Sequence, residues 1–129
     1  MSSSQPRPQF FKFETASPMT PVEGVTMRTA YGSQGSLSLV RLEPGAEVPL
    51  HSHPHEQLGI VLEGVEILLI DGQEHHVQPQ QAYVIPGGVE HGGRGGPDGC
   101  LALDIFIPTR EDYRVAAAPP LDALEAVEG

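Results

Sequence analysis

GAEVPLHSHPHEQLGIVLEG, residues 45 to 64, carries three histidines and a glutamine close together: His51, His53, His55 and Gln57. Apolar segments flank this polar cluster, and Gly45 and Gly64 bound it. On an extended strand, side chains two apart share a face, so His51 and His53 point the same way. Imidazoles at that spacing on a rigid backbone suit the grip of one transition-metal ion. A polar strand end with solvated histidines would read the same, so the surrounding chain has to decide.

Downstream, the chain reads as a strand to Leu62, a turn at Glu63-Gly64 and a strand over 65 to 70. Asp71-Gly72 is a hairpin signal, and His75 to Gln78 returns. QAYVIPGGVEH supplies another strand, a Pro-Gly-Gly turn and His91. GGRGGPDG (92 to 99) reads as a loop, and CLALDIFIP (100 to 108) as the last clear strand. Upstream, GVTMRTAY (24 to 31) and SLSLVRLE (36 to 43) read as strands joined by GSQG, and QFFKFE (9 to 14) as a short one. Eight or more short strands, with no convincing helix before residue 109, imply an antiparallel sandwich or small barrel. Residues 1–8 read as a disordered start, 9–115 as one β-barrel domain, and 116–129 as a tail or short helix.

Composition narrows the function. The 129 residues fit a single domain with a core, and 5% aromatic content with no Trp makes that core aliphatic. Seven Lys and Arg against 17 Asp and Glu give a formal charge of -10. That field repels phosphate backbones and anionic membrane surfaces, so neither nucleic acid nor membrane is an expected partner. One cysteine, Cys100, excludes an intramolecular disulfide and reads as a buried structural thiol. The start MSSSQPRPQ lacks the features of a signal peptide, so a cytoplasmic location is expected.

The spacing from Gly45 through His51, His53 and Gln57 to Gly64 resembles the first motif of the cupin superfamily, with Gln57 where most members carry Glu. Pro86-Gly87-Gly88-Val89-Glu90-His91 resembles the second, PxGxxH. That motif's usual leading Gly is Gln80 here, and its later Asn is Gly95. The resemblance implies a jelly-roll barrel (a double-stranded β-helix) in which His51, His53, Gln57 and His91 hold one divalent transition metal: nickel, iron, manganese or zinc. The family pattern passes over His55, and His75 and His76 sit on a polar hairpin.

LDIFIPTREDY (103 to 113) is a third constellation. Asp104 and Phe106 share a strand face opposite the row Leu101, Leu103, Ile105 and Ile107. By alternation alone, Asp104 could equally be a solvent-facing carboxylate. Arg110 could pair with Glu111 or Asp112. The D-x-F-x-x-x-R pattern, together with a glutamine ligand, is similar to small cupins of pectin and alginate breakdown that linearise 4,5-unsaturated uronates. In that resemblance Asp104 is the acid/base, Arg110 the substrate-carboxylate clamp and Phe106 a pocket wall. The expected function is thus metal-dependent isomerase or lyase chemistry on a small polar carbonyl or acid substrate. A dioxygenase or polyketide-cyclase type, or a non-enzymatic sugar- or metal-binding barrel, stands as the alternative. Small cupins pair, so a homodimer is expected.

Overall fold

The computed structural model describes residues 7–116. The expected tail beyond residue 116, and residues 1–6 of the expected disordered start, lie outside the described residues. Alternation builds the first hairpin. In β1 (Val25–Tyr31) Val25, Met27, Thr29 and Tyr31 are buried. In β2 (Ser36–Leu42) Ser36, Ser38, Val40 and Leu42 are buried. Period-two burial of this kind turns one face of each strand inward. The strands pair antiparallel, with Val25 opposite Leu42 and Tyr31 opposite Ser36. Thr29 and Ser38 are opposite one another, and their buried hydroxyls satisfy each other at 2.7 Å.

The remaining elements are β3 (Glu47–His51), β4 (Glu56–Ile70), β5 (Gln73–Val77), β6 (Ala82–Ile85), β7 (His91–Ile107) and the short helix α1 (Glu111–Ala116). Among the described residues, seven strands form one antiparallel sheet in the order β1-β2-β7-β4-β5. Strand β3 also pairs with β7, and β6 with β4. The sheet curls until β1, β2, β3, β4 and β7 all contribute side chains to one cavity. Asp71 (φ 54) and Gly72 (φ 74) make the left-handed turn that the Asp-Gly pair calls for between β4 and β5. No helix among the described residues is long and apolar enough to cross a membrane.

Three expectations are corrected. Residues 9–12 are irregular and Phe13–Thr15 is a 3-10 turn, not part of a strand. There the Thr15 N–H and hydroxyl both bond the Lys12 carbonyl, local pairing that competes with a sheet ladder. No turn forms at Glu63-Gly64, because β7 offers partners along both halves of β4, so the chain bends instead of reversing. Residues 92–99 are not a free loop: Gly92 to Gly95 pair with Leu69 to Glu66, and only Gly96 to Gly99 falls between paired positions. The glycines there allow close backbone approach. A Cβ on Gly93 would lie 2.7 Å from the Ile67 carbonyl oxygen, and one on Gly95 2.5 Å from that of Glu43. On β7, where alternation left the choice of face open, the aliphatic row faces outward and the Asp104–Phe106 face inward. Ile105 and Ile107 are 39% and 46% exposed, whereas Asp104 and Phe106 are 6% and 3% exposed.

The bend in β4 has a large effect on the cavity. Gln57, Gly59 and Val61 face inward, and Val61 is paired with Ala102 while Glu63 is paired with Leu101. Leu62 is therefore the extra residue of a bulge, and one extra residue moves every later side chain to the other face. Glu66 and Leu68 consequently become inward positions. Gly64 follows the bulge with φ 72, and any Cβ there would collide with the Gly99 carbonyl oxygen. Gly64→Ala should therefore cost about 1–3 kcal/mol from backbone conformation alone. Urea unfolding of the purified variant measures it, and a loss below that range would mean the bulge relaxes freely.

Candidate active site and metal centre

His51 ends β3 and lies directly opposite His91, the first residue of β7. His53 follows β3 after one intervening residue and swings onto the same point. The ring centroids are 4.5 Å apart for His51–His91, 5.0 Å for His53–His91 and 5.6 Å for His51–His53. One nitrogen from each ring lies within 4.8 Å of the others.

The tautomers follow from the hydrogen bonds. Each Nδ1 faces a backbone carbonyl: His51 that of Pro49 at 2.9 Å, His53 that of His55 at 3.0 Å, and His91 that of Val89 at 2.9 Å. A carbonyl can only accept, so each Nδ1 carries the proton and the neutral ring keeps a lone pair on Nε2. Burial, with the Arg110 charge added for His53, holds His53 and His91 below the ordinary histidine value. The buried Nε2 of His91 has no hydrogen-bond partner. That of His53 faces Gln57 Oε1 at 3.2 Å. The Gln57 side chain also hydrogen-bonds Asp104, which turns its amide N–H toward the carboxylate and its oxygen toward His53. Acceptor thus faces acceptor with no proton between them, an arrangement that suits a cation. The three histidines fit a divalent metal.

The seven candidate residues come together. His51, His53, Gln57, His91, Asp104, Phe106 and Arg110 all line one cavity of about 250 Å³. Its far wall is apolar, formed by Val25, Met27, Val40 and Leu42. Arg110 is not the exposed ion pair that its neighbours in sequence suggest. It is buried and grips Asp112 through Nε and Nη2 at 2.9 and 2.5 Å, while its guanidinium stacks 3.9 Å from the Tyr113 ring centroid. Its Nη1 is buried without a partner. His55 contributes its carbonyl to His53 but does not line the cavity, and His75 and His76 are exposed on β5. Cys100 is a buried free thiol pushed up to about 12, chiefly by burial, which makes it unreactive.

Two residues escaped the sequence reading. Tyr83 places its hydroxyl 2.6 Å from Asp104 Oδ1 and 3.0 Å from Glu66 Oε1. Gly59 lies between Tyr83 and Asp104 in register on β6 and β7, and any Cβ on it would collide with both side chains. Glu66 is buried and lines the cavity. Its only sequence signal is a lone carboxylate inside the apolar run GVEILLI.

The cupin-domain family Cupin_2 matches residues 38–106, over half of the chain. The chain belongs to the cupin family. Its fold is accordingly the all-β cupin jelly roll. The structure of KdgF from Halomonas sp. superposes with a TM-score of 0.74 at 25% identity, covering 81% of this cupin and 98% of that chain. Dimethylsulfoniopropionate lyase DddW from Ruegeria pomeroyi is 36% identical over 63 residues, 49% of this chain and 41% of DddW. The HTH-type transcriptional regulator PuuR from Escherichia coli is 29% identical over 93 residues, 67% of this chain and 50% of PuuR. This cupin therefore spans half or less of the length of these two curated relatives.

Elemental analysis should find about one divalent transition metal per chain, lost in His91→Ala and bound at least about tenfold more weakly in Gln57→Ala. The pH dependence has a definite sign. Burial lowers His53 and His91, so protons compete for their Nε2 lone pairs only below the ordinary histidine range, and calorimetric Ni(II) binding should weaken as the pH falls through that range. A site whose affinity falls steadily from alkaline pH would contradict ligation by histidines held below their ordinary value.

Proposed function

We propose that this cupin is a metal-dependent isomerase or lyase that moves a proton on a small polar carbonyl or acid substrate. The observation that carries the proposal is the place of Asp104. Its carboxylate is inside the cavity that the three histidines share, held by Tyr83 and Gln57. In this reading His51, His53, His91 and the Gln57 oxygen hold the metal, one ion of nickel, iron, manganese or zinc. A bound ion would supply Lewis acidity toward a substrate carbonyl or hydroxyl. Gln57, being neutral, leaves more of that charge uncompensated than a carboxylate would.

Asp104 is the proton-moving group. Burial raises its carboxyl above the ordinary value, toward the range where a carboxylate serves as a general base near neutral pH. Phe106 walls the cavity beside His53, with ring centroids 5.7 Å apart. Arg110 offers its unpartnered Nη1 to a substrate carboxylate. Because Asp112 already occupies the other edge of the guanidinium, the clamp has one free arm. The cavity volume suits a monomeric substrate, not a polymer.

Within this class, ring opening of 4,5-unsaturated uronates is the first activity to assay, supported by the D-x-F-x-x-x-R pattern and by the similarity to KdgF. The similarity to a lyase acting on dimethylsulfoniopropionate, another small carboxylate, supports the broader class. The apolar wall of Val25, Met27, Val40 and Leu42 favours a second reading, a dioxygenase or cyclase acting on an enolic, partly apolar substrate. Oxygen uptake distinguishes it.

A homodimer belongs to the same proposal. Outside the barrel, Val84, Leu58, Ile105 and Leu37 lie side by side across β6, β4, β7 and β2, and Val84 is 59% exposed. A contiguous apolar row of this kind is seldom left to water. Ile105→Lys should shift the sedimentation profile to a monomer.

With metal loaded, loss of the conjugated uronate absorbance should be seen for the wild-type protein. Asp104→Asn should lower kcat by about 10²–10⁴-fold, the range for removing a general acid–base group, while the metal stays bound. Consumption that Asp104→Asn leaves intact would remove Asp104 from the chemistry.

A further inference from the structure

Glu66 has no part in the proposed reaction, yet it shares the Tyr83 hydroxyl with Asp104. Tyr83 Oη lies within hydrogen-bond distance of two carboxyl groups, 2.6 Å from Asp104 and 3.0 Å from Glu66. A phenol has one proton to donate. If both carboxyls were ionised, one of these contacts would set oxygen against oxygen with no proton between them, in a buried site. One carboxyl must therefore carry a proton and donate it to Tyr83.

The hydrogen-bond inventory decides which one. Asp104 accepts from both Tyr83 and the Gln57 amide, the surroundings of an anion. Glu66 has Tyr83 as its single hydrogen-bond partner, and none of the ion pairs among the described residues includes it. The groups facing it are Tyr83 from β6 and Asp104 and Cys100 from β7, and none of them is a cation. Burial and the Asp104 charge both push the Glu66 carboxyl upward.

We propose that Glu66 is held as the neutral acid and acts through the Tyr83 hydroxyl as the positioning residue for Asp104. The Glu66 acid proton goes to Tyr83 Oη. The Tyr83 proton is then committed to Asp104 Oδ1, which fixes that oxygen and leaves Oδ2 to address the cavity. The bulge at Leu62 makes this chain of contacts available, because without it Glu66 would point outward. Gly59 leaves the space through which Tyr83 reaches Asp104. The positioning role rests on Asp104 being the proton-moving group. The protonation of Glu66 does not, and it can be read without substrate or metal.

The infrared spectrum of the wild-type protein at neutral pH should contain the carbonyl stretch of a protonated carboxylic acid. That band should shift when glutamate alone is labelled with ¹³C, since every other described glutamate is exposed. Absence of the band, or a band indifferent to glutamate labelling, overturns the assignment without recourse to any variant. A Glu66→Gln variant keeps a donor toward Tyr83, whereas Glu66→Ala does not. The ¹³C NMR signal of the hydroxyl-bearing ring carbon of Tyr83, assigned with Tyr83→Phe, should stay in place in Glu66→Gln and move in Glu66→Ala. The same signal in both variants would overturn the positioning role. Glu66→Gln should bind Zn(II) within about twofold of wild type, and a loss beyond about tenfold would put Glu66 in the metal site and overturn the proposal. Inactivity toward uronates with the infrared band present would instead count against the proposed function alone.

Discussion

Antiparallel pairing of β4 with β7 is the constraint on which the remainder of this barrel depends. These are its two longest strands, Glu56–Ile70 and His91–Ile107, and they run together over nearly their full lengths. Their register puts Gln57 opposite Phe106, Gly59 opposite Asp104 and Ile70 opposite His91. Every other strand except β1 pairs directly with one of these two, and β1 attaches through β2. A slip of one residue would turn Asp104 and Phe106 outward and Ile105 and Ile107 into the cavity. The apolar outer face would then be lost together with the site.

The pairing is not regular, and its irregularities coincide with the chemistry. One extra residue at Leu62 changes which face of β4 looks inward, and Gly96 to Gly99 lie between paired positions on β7. Ahead of the bulge, β4 presents Gln57 and Gly59 to the cavity. Beyond it the strand presents Glu66 and Leu68. Bulges commonly re-aim side chains near functional sites, and here the bulge converts a strand of one parity into two walls of the same pocket. Close approach of backbone carbonyls at Gly64, Gly93 and Gly95, and of the Tyr83 and Asp104 side chains at Gly59, is the steric condition for it.

Electrostatically the cavity is divided. At one end, three imidazole lone pairs and an amide oxygen converge without a proton among them. Behind it stand Asp104, Tyr83 and Glu66, where burial raises both carboxyls and the hydroxyl links them. Across from both is an aliphatic wall from the β1–β2 hairpin. A site of this kind favours a compact substrate with an oxygen-rich end and a less polar body. The low surroundings of charge in the aliphatic wall also strengthen every interaction on the polar side.

Much of this was legible in the chain itself. Alternation over 25–31 and 36–42, the Asp71-Gly72 turn and the two histidine motifs depend only on neighbours in sequence, and local stereochemistry determines them. So the all-β class followed from spacing, while the metal-ligand set and the Asp104, Phe106 and Arg110 constellation followed from the resemblance to cupins. Which face of β7 is inside did not follow. Its aliphatic row looks like a core, yet the curl of the sheet puts that row on the outer surface and leaves the polar row facing the cavity. The continuity of β4 through Gly64 and the pairing of Gly92 to Gly95 depend on partners far along the chain, as do the burial of Glu66 and the reach of Tyr83. Sequence determines what each residue can donate, accept or bury. Only the tertiary structure decided which of those groups meet, because one bulged residue reverses strand parity and no local pattern records where it falls.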